Sequence, residues 1–389
     1  MVTIPEPAPT RWIHQPEELD AWLSEGAGEL LALDTEFERV STFYPIPGLV
    51  QLGLGESFCL VDPSVAEQSQ GFRQLLADPE RPKLLYAMSE DLELFRHWLG
   101  IAPAGVLDLQ IGAALAGAGF SVGYARLVET LFDHSLDKSA TRSDWLARPL
   151  TTAQERYALD DVRFLKPLYH WVVERLQARG LAEALAEEST RFADDLSLQV
   201  EPEHYYLKIR GGWRLNPARQ RILRALAVWR EEECRRRDRP RNRVLSDNAL
   251  INIAERCPSS AGALSAVEDV PPVVVRRYGD LLLNIVAQAQ AQASAPEDIE
   301  SIAAPLTRDE QGTYKQVKRL LTRAAEKNDV PVELLAPRRR LEALVHARSD
   351  EQALARSILF MGWRQALTEP VKDQVRAVLD GEARDKSQV

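Results

Sequence analysis

Asp34 and Glu36 stand two residues apart in the otherwise apolar run LLALDTEF. Alternate residues of an extended strand share a face, so both carboxylates project to the same side. Two like charges among apolar neighbours are costly unless a cation offsets them. Hard ions that prefer oxygen, Mg²⁺ or Mn²⁺, are the natural partners. A second acidic element is YAMSEDLELF (86 to 95), where an apolar strand yields to a helix whose first turn carries Glu90 and Asp91. A third is YALDDV (157 to 162), in which Tyr157 and Asp161, four apart, share a helix face and let a phenol and a carboxylate converge. Taken singly, each has an ordinary structural explanation. Strand-end acids are often solvated, first-turn acids complement the helix dipole, and a tyrosine at helical spacing is commonly core. Six scattered histidines without an HxxxH pair, and Cys59, Cys234 and Cys257 without a CxxC, offer neither a zinc cluster nor a disulfide framework.

The elements that would position these residues follow an α/β pattern in the first half of the chain. ELLALDTEF (29 to 37), LVQLGLG (49 to 55) and SFCLVDP (57 to 63) read as neighbouring strands, the last two joined tightly at Gly55-Glu56. KLLYAM (83 to 88) and GVLDLQ (105 to 110) read as two more. Ser89 is placed to cap a helix that ends at Gly100. A longer helix starts near Thr151 or Thr152 and runs to about Gly180, with Pro167 as its kink.

Beyond about residue 200 only helical spacing remains. Asn216-Pro217 is a cap followed by a first-turn proline, and the Gln/Ala/Ser-rich stretch 287 to 300 reads as a linker. Shifting the sequence by 91 residues aligns Leu226 with Val317, Trp229 with Leu320, Cys234 with Ala325, Pro240 with Pro331, Val244 with Leu335, Leu250 with Leu341 and Ile253 with Leu344. This predicts two copies of a helical module of about 80 residues. The expected domains are 1 to 206, 207 to 290 and 304 to 389, with 291 to 303 as a linker.

The chain has 389 residues, 45% hydrophobic and 27% charged. Such a composition excludes a wholly disordered, collagen-like or membrane-embedded protein. No apolar run approaches the ~18 residues of a spanning helix, and the Pro-rich start, MVTIPEPAPTRW, lacks the order of a secretion signal. A cytoplasmic protein without membrane contact is expected. The net charge of −10 is unevenly spread: residues 1 to 206 carry −17, 207 to 243 carry +9, and 244 to 389 carry −2. Six of the basic residues lie in CRRRDRPRNR (234 to 243). Arg235 to Arg243 could meet RNA phosphates or pair with the acidic first domain, and charge alone favours neither.

Taken in order, a strand DxE, a helix-start Asp some 55 residues later and a helical YxxxD a further 65 to 70 residues on resemble the exonuclease motifs of the DEDD superfamily, in its tyrosine branch. LALDTEFERVSTFYPIPGLVQLGL, MSEDLELF, LDLQIGAAL, LDKSATRSDWLARPLT and ERYALDDVRFLKPL look like ribonuclease D throughout. The two helical repeats resemble its tandem HRDC modules, the second, ending at MGWRQAL, more loosely. The resemblance runs from about residue 12 to 380. It implies a ribonuclease H-like α/β domain, a mixed sheet flanked by helices, followed by two small all-α HRDC domains. Asp34, Glu36, Asp91 and Asp161 match the metal-binding acids, and Tyr157 the tyrosine. Asp160 is left as a dipole-complementing or solvated acid.

The chemistry implied is hydrolysis of RNA from the 3′ end to nucleoside 5′-monophosphates. In such two-metal sites divalent ions ~3.5 to 4 Å apart activate water and stabilise the leaving 3′ oxygen. Tyr157, with an ordinary pKa of ~10, would orient that water rather than act as a bulk base. The resemblance further implies precursor tRNA 3′ ends and other small structured RNAs as substrates, and a monomer. Lys138, Ser139, Arg142 and Trp145 form a loop near either the substrate or the core. A DNA 3′ exonuclease shares the motifs, and a non-catalytic RNA-binding scaffold is the alternative from another class. An ATP-driven helicase is excluded, because no GxxxxGK[ST] loop occurs.

Overall fold

The strand-forming runs assemble one mixed sheet of six strands. The computed structural model describes residues 11 to 291, 299 to 348, 350 and 352 to 381. The Pro-rich start and most of the expected linker lie outside them. The strands are β1 (Trp12–Ile13), β2 (Leu31–Glu38), β3 (Ile46–Leu54), β4 (Ser57–Val61), β5 (Lys83–Leu85) and β6 (Val106–Asp108), in the order β1-β4-β3-β2-β5-β6. β2, β3 and β4 form an antiparallel meander. β5 and β6 extend it in parallel on one side, and β1 pairs in parallel with β4 on the other. Gly55 makes the predicted tight turn at φ +60.

Two expected strands are shorter than their apolar runs. After Leu85 the chain turns through Ala87, at φ 58, into the helix Ser89–Trp98, and after Asp108 the helix Leu109–Ala113 begins at once. β1 escaped the reading because two residues are too few for alternation to register. Ser89 is the first helical residue rather than the cap, which is Met88 with no side-chain capping bond.

The helix carrying Tyr157 and Asp161 is Thr152–Arg163, opened by a reciprocal capping box between Thr151 and Gln154. It is separate from the following helix, Leu165–Ala178, with the break at Phe164 rather than at Pro167. Proline has no N–H for the carbonyl four residues back, and its ring crowds that oxygen. The interruption therefore falls upstream of the proline, after Arg163. Apolar residues of both helices, Val162, Leu165 and Leu168, cluster with Ala32 of β2, Leu84 of β5 and Leu109, and so fix the helix pair against the sheet.

The chain divides into two compact units. One comprises residues 1 to 38, 46 to 193 and 306 to 389; the other, 39 to 45 and 194 to 305. The 91-residue repeat is real at the level of elements. Pro217–Arg237, Arg241–Val244 and Asp247–Arg256 recur as Arg308–Lys327, Val332–Leu335 and Arg338–His346. Leu226, Cys234, Leu250 and Ile253 are buried, as are their counterparts Val317, Ala325, Leu341 and Leu344. The repeat also includes a pair not read from the sequence: Asp238 and Asp329 end their leading helices in the left-handed conformation, at φ 48 and φ 50. The helix Pro272–Ala291 takes up the first residues of the expected 287 to 300 linker.

Within the first unit the second helical module is tied to the nuclease portion through buried polar groups. Arg364 pairs with Glu188 at 2.7 Å, both almost fully buried, and the Trp363 indole N–H donates to the same carboxylate at 3.1 Å. Arg179 donates to the carbonyls of Leu115 and Asp329, at 2.9 and 3.0 Å. No helix among the described residues is long and apolar enough to cross a membrane.

Candidate active site

Asp34 and Glu36 share one face of β2, as their spacing requires. The helix Thr152–Arg163 lies over that face and brings Asp161 to them. Carboxylate oxygens of Asp34, Glu36 and Asp161 all fall within 4.8 Å of one another. The alternation that aims these two acids at the helix turns Thr35 to the opposite face, where its hydroxyl donates a 2.5 Å hydrogen bond to Asp91 Oδ1. Asp91 is buried, 7 % exposed, in the first turn of Ser89–Trp98. It stands outside the tightest trio, yet its charge bears on Asp34, Glu36 and Asp161 alike.

The electrostatics express this crowding. Burial, followed by repulsion from Asp161, Asp91 and Glu36, raises the Asp34 carboxyl well above the usual range. Burial and the charges of Asp161 and Asp91 push Glu36 up to about 9. Burial raises Asp91 to about 7 against the Thr35 hydrogen bond, and raises Asp161 to about 7 against a bond from Tyr157. The Tyr157 phenol is itself driven upward, by burial and then by Asp161 and Glu36, so it stays protonated and can donate. Four carboxylates forced together in this way suit a hard divalent cation, and among the described residues no histidine or thiolate accompanies them to favour zinc.

Several supporting residues carried no signal that sequence reasoning could use. Asp108, at the end of β6, accepts the backbone N–H groups of Ala87, Met88 and Gln110 at 3.0, 3.2 and 2.9 Å. It thereby holds the left-handed turn that presents Asp91. Tyr124 donates to the carbonyl of Asp160 at 3.0 Å and feels the charges of Asp161 and Asp34. Asp160 is not simply solvated: it pairs with Arg163 at 3.1 Å in a largely buried setting. A β-bulge lies just after Glu36, where Phe37 pairs with Pro47 and leaves Gly48 as the extra residue. A Cβ on Gly48 would lie 2.9 Å from Trp145 Cβ, so glycine is needed for the close approach.

The loop at 138 to 145 divides by role. Trp145 is buried, 3 % exposed, and packs on Tyr157 with ring centroids 5.9 Å apart. Lys138, Ser139 and Arg142 are exposed, with Ser139 held by Asp137 at 2.8 Å.

The basic tract is mostly engaged inside its own module. Arg241 forms a two-pronged pair with Glu231 at 2.6 and 2.7 Å and lies 4.2 Å from the Tyr205 ring centre. Arg236 pairs with Glu233, and Arg237 donates to Tyr278 at 2.7 Å. For these three arginines the acidic partners are local, which is neither of the two alternatives that charge left open. Arg239 and Arg243 are exposed.

Sheet order, helix placement and the convergent acids are those of a 3′-5′ exonuclease, and residues 10 to 177 match that domain family. Residues 219 to 286 match the HRDC domain, and 311 to 371 the C-terminal HRDC domain of ribonuclease D. The chain is 38% identical to ribonuclease D of Pseudomonas paraeruginosa over 94% of its length and 96% of the relative's. It is 36% identical to the Escherichia coli protein over 81% and 84%. The crystal structure of Escherichia coli RNase D, described as an exoribonuclease involved in structured RNA processing, overlays with a TM-score of 0.83 at 32% identity, covering 97% of this chain and all of that one. A Bifidobacterium adolescentis structure at 22% identity and TM-score 0.60 shares the fold. The chain belongs to the ribonuclease D family and is a 3′-5′ exoribonuclease, of a class that uses divalent metals.

Proposed function

We propose that Asp34, Glu36, Asp91 and Asp161 hold two divalent cations, Mg²⁺ or Mn²⁺, and that the enzyme trims 3′ extensions of precursor tRNAs and other small structured RNAs to nucleoside 5′-monophosphates. The convergence of three carboxylates within 4.8 Å, beside Asp91 and under Tyr157, carries this reading. When bound, the cations would supply Lewis-acid activation of water and charge stabilisation at the phosphate. The chain's own residues do the rest. Asp34 and Glu36 come from a rigid strand, so their separation is set by the sheet rather than by a loop. Asp161 and Tyr157 come from one face of a capped helix, so the tyrosine hydroxyl stays fixed relative to the carboxylate it bonds. Tyr157 orients the attacking water without giving up its proton, as its raised pKa requires. Lys138 and Arg142, exposed on the loop whose Trp145 packs on Tyr157, would meet the RNA backbone near the scissile end. The three cysteines are free, which suits a cytoplasmic enzyme, and the family resemblance favours a monomer.

The test is a time course on matched 3′- and 5′-labelled RNA and DNA with Mg²⁺, Mn²⁺ or EDTA, using wild type and Asp161→Ala, followed by precursor tRNA carrying 3′ extensions. Stepwise, cation-dependent shortening of RNA from the 3′ end, lost in the variant while RNA binding persists, is the expected result. Normal turnover by Asp161→Ala would overturn the ligand assignment, and unprocessed precursor tRNA would overturn the substrate.

A further inference from the structure

Gln51 sits in the middle of β3, directly opposite Asp34 in the antiparallel ladder. Residues directly opposite across such a ladder project to the same face, so the Gln51 amide lies on the face that carries the acids. Glu36, paired with Leu49, is its diagonal neighbour. Gln51 is fully buried, and neither its Oε1 nor its Nε2 has a hydrogen-bond partner among the described residues. Its other neighbour in register is Leu60 of β4. Leu49, Leu60 and Ala158 of the overlying helix are apolar and form one cluster, so they offer the amide nothing.

A buried primary amide left without partners is unfavourable, and a leucine or methionine would fill the same space without that cost. The register leaves the Asp34 carboxylate as the polar group directly across from it. We infer that Gln51 is a positioning residue for the cation site: when Asp34 enters the ligand shell of a divalent cation, its carboxylate accepts the Gln51 Nε2–H, which fixes the oxygen presented to the ion. The amide supplies no charge and touches no substrate. It restricts the rotation of a ligand crowded by repelling carboxylates and otherwise held by the backbone N–H of Thr35. Partners that orient metal ligands in this way typically change metal affinity about 10- to 100-fold when removed.

The inference rests on the acids being a metal site, and the experiment separates the two. Calorimetric titration of Mn²⁺ and of Mg²⁺ into the full-length, cation-free protein is made for wild type, Gln51→Leu and Gln51→Met, with melting temperatures recorded in EDTA. The expected outcome is at least 10-fold weaker cation binding in both variants, with melting in EDTA unchanged or higher because an unpartnered amide has gone. A role only in packing predicts the reverse, lower melting with unchanged affinity, and that result would overturn the inference. Wild type that binds neither cation would remove the metal site, and Gln51's role with it. If neither variant folds, the side-chain amide resonance of Gln51 in wild type decides. A downfield shift of its protons on Mg²⁺ addition supports the bond, and an unmoved signal refutes it.

Discussion

The Thr35 hydroxyl donates a 2.5 Å hydrogen bond to Asp91 Oδ1 across 56 residues of chain. The middle residue of the Asp-Thr-Glu triplet thus does on one face of the sheet what its neighbours cannot. Asp34 and Glu36 supply carboxylates on one side, and Thr35 anchors the next carboxylate from the other. Three consecutive residues of β2 thereby organise three of the four acids.

Replacing Thr35 with valine keeps the shape and β-branching of the side chain and removes only the bond. Divalent-cation affinity is expected to fall roughly 10-fold, as for other groups that orient a ligand, with the circular dichroism spectrum unchanged. Isothermal titration with Mn²⁺ checks this, and an undiminished affinity would show that Asp91 needs no anchor.

Tyr157→Phe removes the hydroxyl that bonds Asp161 and leaves the ring against Trp145. The turnover number on single-stranded RNA should drop roughly 100-fold, while the KM and the melting temperature stay near wild type. A rise in KM with kcat intact would instead assign the tyrosine to RNA binding.

The raised carboxyl pKa values make a signed prediction about pH. Glu36 at about 9 and Asp91 and Asp161 at about 7 are more readily protonated in the folded chain than in the unfolded one. Their contribution is fully present below the ordinary carboxyl value of ~4 and is lost as the pH rises, first through about 7 and then through about 9. In EDTA the melting temperature should therefore fall between pH 6 and pH 9.5, and saturating Mg²⁺ should reverse the fall by offsetting the exposed repulsion. Scanning calorimetry with and without Mg²⁺ measures both slopes, and a flat EDTA profile would contradict the crowding described here.

The Arg364–Glu188 pair ties the second helical module to the helix Ala184–Val200. Removing one member of a buried ion pair strands the other, so Glu188→Gln should cost roughly 3 kcal/mol in urea unfolding. The double variant with Arg364→Met should recover part of that loss. A loss below about 1 kcal/mol would place the pair in the weak class typical of exposed bridges.

Arginines of the basic tract should separate by exposure. Arg239→Ala with Arg243→Ala is expected to lower the salt slope of single-stranded RNA binding by about 1.4, on the basis of ~0.7 per phosphate contact, with no change in melting. Arg241→Ala leaves the buried Glu231 without its two-pronged partner and should lower the melting temperature instead. An unchanged salt slope in the double variant would take the tract out of the RNA path.

Alternation placed Asp34 and Glu36 on one strand face and helical spacing placed Tyr157 with Asp161, because both depend only on the repeat of the local backbone. The 91-residue repeat was legible for the same reason: burial periodicity recurs wherever the same three helices recur. Local pattern could not read Asp108, Tyr124, Thr35 or Gln51 as parts of the site. An aspartate ending a short strand, a tyrosine in an amphipathic helix, a threonine between two acids and a glutamine in an apolar strand all have bland local meanings. Their roles come from partners 17 to 56 residues away, such as Asp34 for Gln51, Ala87 for Asp108 and Asp91 for Thr35. Nor could the spacing anticipate that Gly48 is a bulge or that Arg241 is committed to Glu231, since both depend on which strand or side chain arrives opposite. Sequence alone determined most of the elements, the candidate acids and the family, through short-range periodicity and motif order. Tertiary structure alone decided which acids converge, what holds each one and which arginines remain exposed, because those outcomes are set by strand register and by the burial of groups far apart in the chain.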